Sequence, residues 1–203
     1  MIINKHDSEI VAKILLKINA IKLQPNNFFT WASGKKAPIY CDNRILLSYV
    51  KERGVVRDLF CKNIKMNYAN IDYIAGVATG AIAHGLMVAE KLELPFIYVR
   101  DKAKKYGRKN QIEGSLTPNS NVLVIEDLVS TGKSSLKVIE AIEKSGSNVI
   151  GLMSIFTYDM TTKIDLPYLP LCNYSTLINV ASSNKIITEE EKDILSNWKQ
   201  KIS

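Results

Sequence analysis

Cysteine, histidine and long apolar runs are what this chain has least of, and each shortage narrows the field. Its three cysteines, Cys41, Cys61 and Cys172, are odd in number, far apart and never in a C-x-x-C pair. That argues against a disulfide framework and a thiolate zinc site, and suits reduced thiols in a cytosolic protein. With only two histidines, His6 and His84, a histidine-rich metal centre is not expected. No run of about 18 apolar residues occurs, so no membrane-spanning helix is expected. Asp7 and Glu9 stand where an export signal needs an apolar core, so a cytoplasmic location is expected. Internal repeats, low-complexity tracts and Pro/Gly-rich linkers are missing too, which leaves a single domain over residues 1–203.

What is present suits one α/β core: 203 residues with 46% apolar content. The formal charge of +7 raises nucleic acid as a partner, but its distribution argues against it. Between Arg100 and Lys109 stand Arg100, Lys102, Lys104, Lys105, Arg108 and Lys109 against the single acid Asp101, a net +5 of that total. Such a local cluster matches a small polyanion better than a surface that tracks a nucleic-acid backbone. Neither nucleic acid nor membrane is therefore an expected partner.

The apolar spacing predicts a helix from about Asp7 to Ile21, with Asp7 or Ser8 as N-cap and Ile10, Val11, Ile14, Leu15 and Ile18 on one face. Two short strands, 28–31 and 37–41, flank a turn at Ser33-Gly34-Lys35. A helix over 48–63 is expected to turn Val50, Val55, Leu59, Phe60 and Ile64 inward. From there strands and helices alternate: strand 71–77, helix 81–92, strand 96–100, a polar loop 101–119, strand 122–125, helix 134–145 and strand 149–156. That order predicts a mostly parallel sheet covered by helices on both faces. Gly146 suits a helix C-cap. The tail reads as a short strand near 171–174 and helices near 176–182 and 188–199, the last opened by a Thr188/Glu191 capping box. The core spans about 45–160, and segments 1–44 and 161–203 are expected to form a small hood beside it.

The most informative stretch runs from Val122 to Ser135. An apolar strand, Val122 to Ile125, leads to Glu126 and Asp127 at its expected end; Ser130-Thr131-Gly132 then opens a helix. The carboxyl end of a strand before a helix is where α/β folds bind ligands. Free N–H groups and the helix dipole favour a phosphate there. Carboxylates beside it cannot hold phosphate, but they accept hydrogen bonds from sugar hydroxyls. Together they suggest a ribose phosphate. Gly132-Lys133-Ser134 looks like the end of a P-loop, yet the first glycine of that motif falls on Asp127. Gly76-Val77-Ala78-Thr79-Gly80-Ala81 forms a second small-residue turn between a strand and a helix.

The first motif resembles the phosphoribosyl-diphosphate binding segment of the type I phosphoribosyltransferases. The resemblance implies their fold: a central, mostly parallel sheet flanked by helices, with a hood from both chain ends. It implies that Glu126 and Asp127 bind the ribose 2′- and 3′-hydroxyls. Leu128, Val129, Ser130, Thr131, Gly132, Lys133 and Ser134 would cradle the 5′-phosphate, and Ala78, Thr79 and Gly80 the pyrophosphate. Some relatives carry a lysine at Gly80, so here backbone N–H groups would take that task.

Two further segments resemble the orotate-using branch of that family. Arg100 to Gly114 is similar to its mobile catalytic loop, ending in Asn110-Gln111-Ile112-Glu113-Gly114. By resemblance Arg100, Lys104 and Tyr106 contact phosphoribosyl diphosphate, with Lys104 catalytic. Asp101 stands where relatives have a second lysine, and either Lys102 or Lys105 could replace it. Ser33 to Arg44 resembles the segment lining the base pocket; Arg44 and Thr131 become candidates for orotate, whose carboxylate a guanidinium can grip in two places. The resemblance further implies a homodimer with loops that can reach the neighbour's site. It implies Mg²⁺ held mainly by substrate and water, with no direct protein ligands. The expected activity is transfer of a 5-phosphoribosyl group to orotate, with pyrophosphate released, in pyrimidine biosynthesis. The alternatives are a related transferase for another base, or a non-catalytic nucleotide-binding regulator on the same fold.

Overall fold

In the computed structural model, residues 3–31, 34–101, 111–160 and 162–202 are described. The chain opens with α1 (Lys5–Lys17), β1 (Ile21–Leu23), β2 (Phe29–Thr30), β3 (Lys36–Ala37), β4 (Ile39–Cys41), a 3-10 turn (Asn43–Ser48) and α2 (Val50–Asn67). There follow β5 (Tyr73–Val77), α3 (Ile82–Leu92), β6 (Phe96–Val99), β7 (Ile112–Glu113), β8 (Asn121–Val129) and α4 (Lys133–Lys144). β9 (Asn148–Thr157), β10 (Tyr168–Asn173), α5 (Tyr174–Ser183) and α6 (Glu189–Ile202) complete it.

Six strands form the main sheet in the order β10-β9-β8-β5-β6-β7, parallel throughout except for β7 against β6. The strands are apolar on both sides because both faces are covered. Ile74, Leu123, Ile125, Met153 and Ile155 belong to one buried cluster, while Ala75, Val77, Ile97, Val122, Val124 and Leu152 belong to another. β5 and β8 are neighbours, but the chain leaves them in opposite directions: β5 leads to β6 on one side, β8 to β9 and β10 on the other. The order therefore reverses between β5 and β8, which opens a crevice at their carboxyl ends.

Two antiparallel pairs, β1–β4 and β2–β3, stand apart from this sheet. The first helix is capped by Asn4, whose side chain accepts from the Asp7 N–H, and not by Asp7 or Ser8. Asp7 is buried instead, 2.7 Å from the Lys62 ammonium. The expected end of that helix is β1, where Ile21 to Leu23 pairs with β4. Val50 and Val55 point to solvent, 68% and 41% exposed, while Val56, Leu59, Phe60 and Ile64 face the core. Val55 misses that stripe by one residue, about 100° of helix.

The tail closes over the same side as the N-terminal segment. α1 lies against α5 and β10, and aromatic rings tie the pieces together. Trp31, in the loop after β2, is 5.2 Å from Tyr158 and 6.0 Å from Trp198 of α6, centroid to centroid. Tyr174 of α5 sits 5.6 Å from Trp198, and Phe156 5.4 Å from Tyr158. β10, which lies past residue 160, is the outermost parallel strand of the main sheet. Among the described residues no helix is long and apolar enough to cross a membrane.

Candidate active site

The site begins where β8 outruns β5. Their pairing ends at Gly76 and Ile125, yet β8 continues beside β9 as far as Val129. Glu126 and Asp127 thus lie inside a strand and not at its end, a correction to the sequence reading. The continued pairing with β9 holds that backbone straight while the β5 side opens. Glu126 is 6% exposed and its Oε2 has no partner among the described residues. Burial, then the neighbouring Asp127, pushes its carboxyl well above the usual range. Asp127 is also raised by burial, against hydrogen bonds from the Leu128 and Asp127 backbone and the charge of Arg44. Glu126 Oε2 in this state lacks the donor that would suit it, and a sugar hydroxyl is such a donor.

Two cavities meet here. One, of about 300 Å³, is lined by Cys41, Asp42, Arg44, Val77, Ala78, Thr79, Gly80, Glu126, Asp127 and Ser134. The other, of about 50 Å³, is enclosed by Glu126 and residues 128–135, so Leu128, Val129, Ser130, Thr131, Gly132, Lys133 and Ser134 all border it. They share Glu126 and Ser134. The smaller is the size of a phosphate cradle. Gly132 precedes α4 at φ 75° and supplies no side-chain cap, leaving the first-turn N–H groups for an anion. A Cβ on Gly132 would also come within 2.9 Å of Ile164 Cδ1, so the 162–164 segment packs on the loop.

The Ala78-Thr79-Gly80 turn faces the acid pair across the crevice, and its Ala78–Thr79 peptide is cis. Gly80 presses on Asp127: an added Cβ would lie 2.6 Å from Oδ1 and nearer still to the rest of the carboxylate. No side chain fits there while Asp127 keeps its place, which accounts for glycine at this position. α3 follows with Ala81 at its start and again no side-chain cap.

Arg44 borders the larger cavity beside the acid pair. Its guanidinium is engaged by Asp42, Nε to Oδ1 at 2.7 Å and Nη2 to Oδ2 at 2.9 Å. Burial first, with Asp127 and Asp42, raises the Cys41 thiol well above its ordinary value, so it stays uncharged. Arg100, just past β6, has its N–H on the Gln111 carbonyl and its guanidinium 3.5 Å from Glu113. Lys104 and Tyr106, with Lys102 and Lys105, lie outside the described residues. Sequence reasoning missed Asn43, whose side chain reaches the Asp127 carbonyl, and the Ile164 contact; only tertiary packing makes either visible.

The phosphoribosyl transferase domain family matches residues 54–180. An orotate phosphoribosyltransferase of Staphylococcus epidermidis is 44% identical, covering 95% of this chain and 98% of its own. One from Phocaeicola vulgatus is 47% identical over 95% and 93%. Among solved structures, an orotate phosphoribosyltransferase from Aeropyrum pernix superposes with a TM-score of 0.75 at 24% identity, covering 88% of this chain and 99% of that one. The UMP synthase of Leishmania donovani gives 0.82 at 24%, covering 97% of this chain and 43% of that longer protein. The structural matches establish the fold; the domain match and the close relatives establish that the chain belongs to the phosphoribosyltransferase family, in its orotate phosphoribosyltransferase branch.

Proposed function

We propose that this site transfers the 5-phosphoribosyl group of phosphoribosyl diphosphate to orotate, giving orotidine 5′-phosphate and pyrophosphate in pyrimidine biosynthesis. The observation that carries this reading is the pair of buried Glu126 and half-buried Asp127, set between two open helix starts at the β5/β8 crevice. Glu126 and Asp127 accept hydrogen bonds from the ribose hydroxyls. Leu128 to Ser134 and the start of α4 hold the 5′-phosphate; Ala78 to Gly80 and the start of α3 receive the pyrophosphate. Asp42 takes the Nε and Nη2 edge of Arg44, and the Nη1 end serves the orotate carboxylate together with Thr131.

The bond from ribose C1 to the pyrophosphate oxygen breaks as the bond to the orotate ring nitrogen forms, and the proton on that nitrogen passes to the departing pyrophosphate or to water. No side-chain nucleophile is needed. The protein's work is to align the two substrates and to offset charge on the leaving group. The oxygen chemistry of the acid pair suits Mg²⁺, a hard cation that keeps several waters and binds few carboxylates. When bound with phosphoribosyl diphosphate it would offset part of that charge. Arg100, Lys104 and Tyr106 supply the remainder from the basic loop, and in a homodimer they act across the interface. Lys104→Ala should lower kcat by about two to three decades, the scale for losing one preorganised donor. A kcat within a few-fold of the parent removes Lys104 from the mechanism.

The direct test is a base panel: phosphoribosyl diphosphate and Mg²⁺ with orotate, uracil, xanthine, hypoxanthine or adenine. Turnover with orotate alone is expected. Turnover with another base overturns the base-pocket assignment, and none with any base puts a nucleotide-binding regulator in its place.

A further inference from the structure

The ladder between β5 and β8 stops at Ile125, so the backbone just beyond it loses a strand on that side. A side chain takes over. Asn43 is 1% exposed, and its Nδ2 donates to the Asp127 carbonyl at 2.6 Å from 84 residues away in sequence. Asn43 is the first residue of the 3-10 turn that also carries Arg44. Its backbone hydrogen-bonds His84 in the first turn of α3, the helix after the pyrophosphate turn. His84 is 3% exposed. One buried residue thus links the segments assigned above to base, ribose and pyrophosphate.

We infer that Asn43 is a positioning residue, whose amide fixes the Asp127 backbone so that the acid pair is aimed at the ribose. The inference rests on the reading of Glu126 and Asp127 as the ribose-binding acids. Three physical points support it. The bond is short and its donor residue is buried, where hydrogen bonds gain strength and unpaired groups are costly. The donor is a side chain from a segment that already borders the larger cavity, so pinning the strand also registers the two walls. Finally, the Asp127 carboxylate presses against Gly80, so a small shift of its backbone would move it into or away from the pyrophosphate turn.

A merely structural asparagine and a positioning one differ in what they do to ligands with and without a ribose. The test is calorimetric titration of phosphoribosyl diphosphate and of free pyrophosphate, each with Mg²⁺, into parent, Asn43→Ala and Asn43→Asp. Both variants should bind phosphoribosyl diphosphate about tenfold more weakly, with pyrophosphate affinity within twofold of the parent. Asn43→Asp keeps the side-chain volume while turning an acceptor toward the Asp127 carbonyl, so it reports even if the alanine variant does not fold. Equal losses for both ligands, or no loss for either, overturn the proposal and make Asn43 a packing residue. A parent that binds pyrophosphate but not phosphoribosyl diphosphate fails at the ribose reading itself, an outcome separable from either.

Discussion

Helices at the two ends of this molecule begin in opposite ways. Near the chain ends, α1 is capped by Asn4, α5 by Asn173, and α6 by Thr188 and Glu191 reciprocally, with Glu189 and Glu190 adding charge in the same turn. At the crevice, α3 and α4 start at Ala81 and Gly132 with neither a side-chain cap nor an acid in the first turn. α2, packed on α1 and α3, lacks a cap but carries Glu52 in its first turn. Where the chain needs only stability, its own side chains satisfy the helix N–H groups and the dipole. At the crevice no side chain takes those groups, the condition an anion site needs. The crevice gives up some stability for function, a common pattern at binding sites.

The strongest way to break this contrast is to close an open end. Ser134→Asp puts a carboxylate in the first turn of α4, at the border of both cavities. Affinity for phosphoribosyl diphosphate should fall by about 100-fold, roughly 2.7 kcal/mol. The same change should leave stability equal or higher, by about 0.3–1 kcal/mol. Calorimetry and thermal melting read the two effects; unchanged affinity would separate α4 from the phosphate site.

A milder change removes a charge and keeps the shape. Glu126 is raised above its ordinary 4.5 by burial, so the folded chain holds its proton more tightly than the unfolded chain. The sign follows: Glu126 costs stability as pH rises from about 4.5 through its raised folded value. Glu126→Gln should therefore raise the melting temperature of the ligand-free protein at pH 7.5 by a few degrees and hardly at all at pH 4.5. It should also weaken phosphoribosyl diphosphate binding by about tenfold, because an acceptor for a ribose hydroxyl is lost. A lower melting temperature at pH 7.5 would mean that the carboxylate has a partner in the free protein.

The smallest effect sharpens the contrast from the other side. Thr188→Ala removes the α6 cap and should cost about 1 kcal/mol, a fall of about 2–4 °C in Tm. kcat and KM should stay within twofold. A change in kcat/KM of tenfold would show that the hood helix contributes to the site.

Much of this was legible in the sequence, and unevenly so. The β8–α4 motif, the β5–α3 turn and the Thr188/Glu191 box are local patterns, and each appears where residue order placed it. Short elements were not legible. β1 has three residues, of which Ile21 reads as the end of a helix, while β7 has two inside a polar loop. Both exist because a partner strand is present, which no local pattern records. The extent of β8 past Ile125 was hidden for a related reason: Glu126 and Asp127 look like a strand end, and only pairing with β9 carries the strand through them. The need for glycine at position 80 and the reach of Asn43 to Asp127 depend on contacts 47 and 84 residues apart in sequence. Those contacts give the crevice its shape.

The central claim, that the two uncapped helix starts at the crevice are the two phosphate sites, is tested most directly by amide NMR during titration with phosphoribosyl diphosphate and Mg²⁺. The N–H signals of Gly132 to Ser134 and of Thr79 to Ala81 should shift together and saturate at one ligand per site. Those at the starts of α1, α5 and α6 should not move. Shifts confined to one cradle, or centred on the groove of about 600 Å³ beside Lys13, Asn173 and Thr176, would contradict the account.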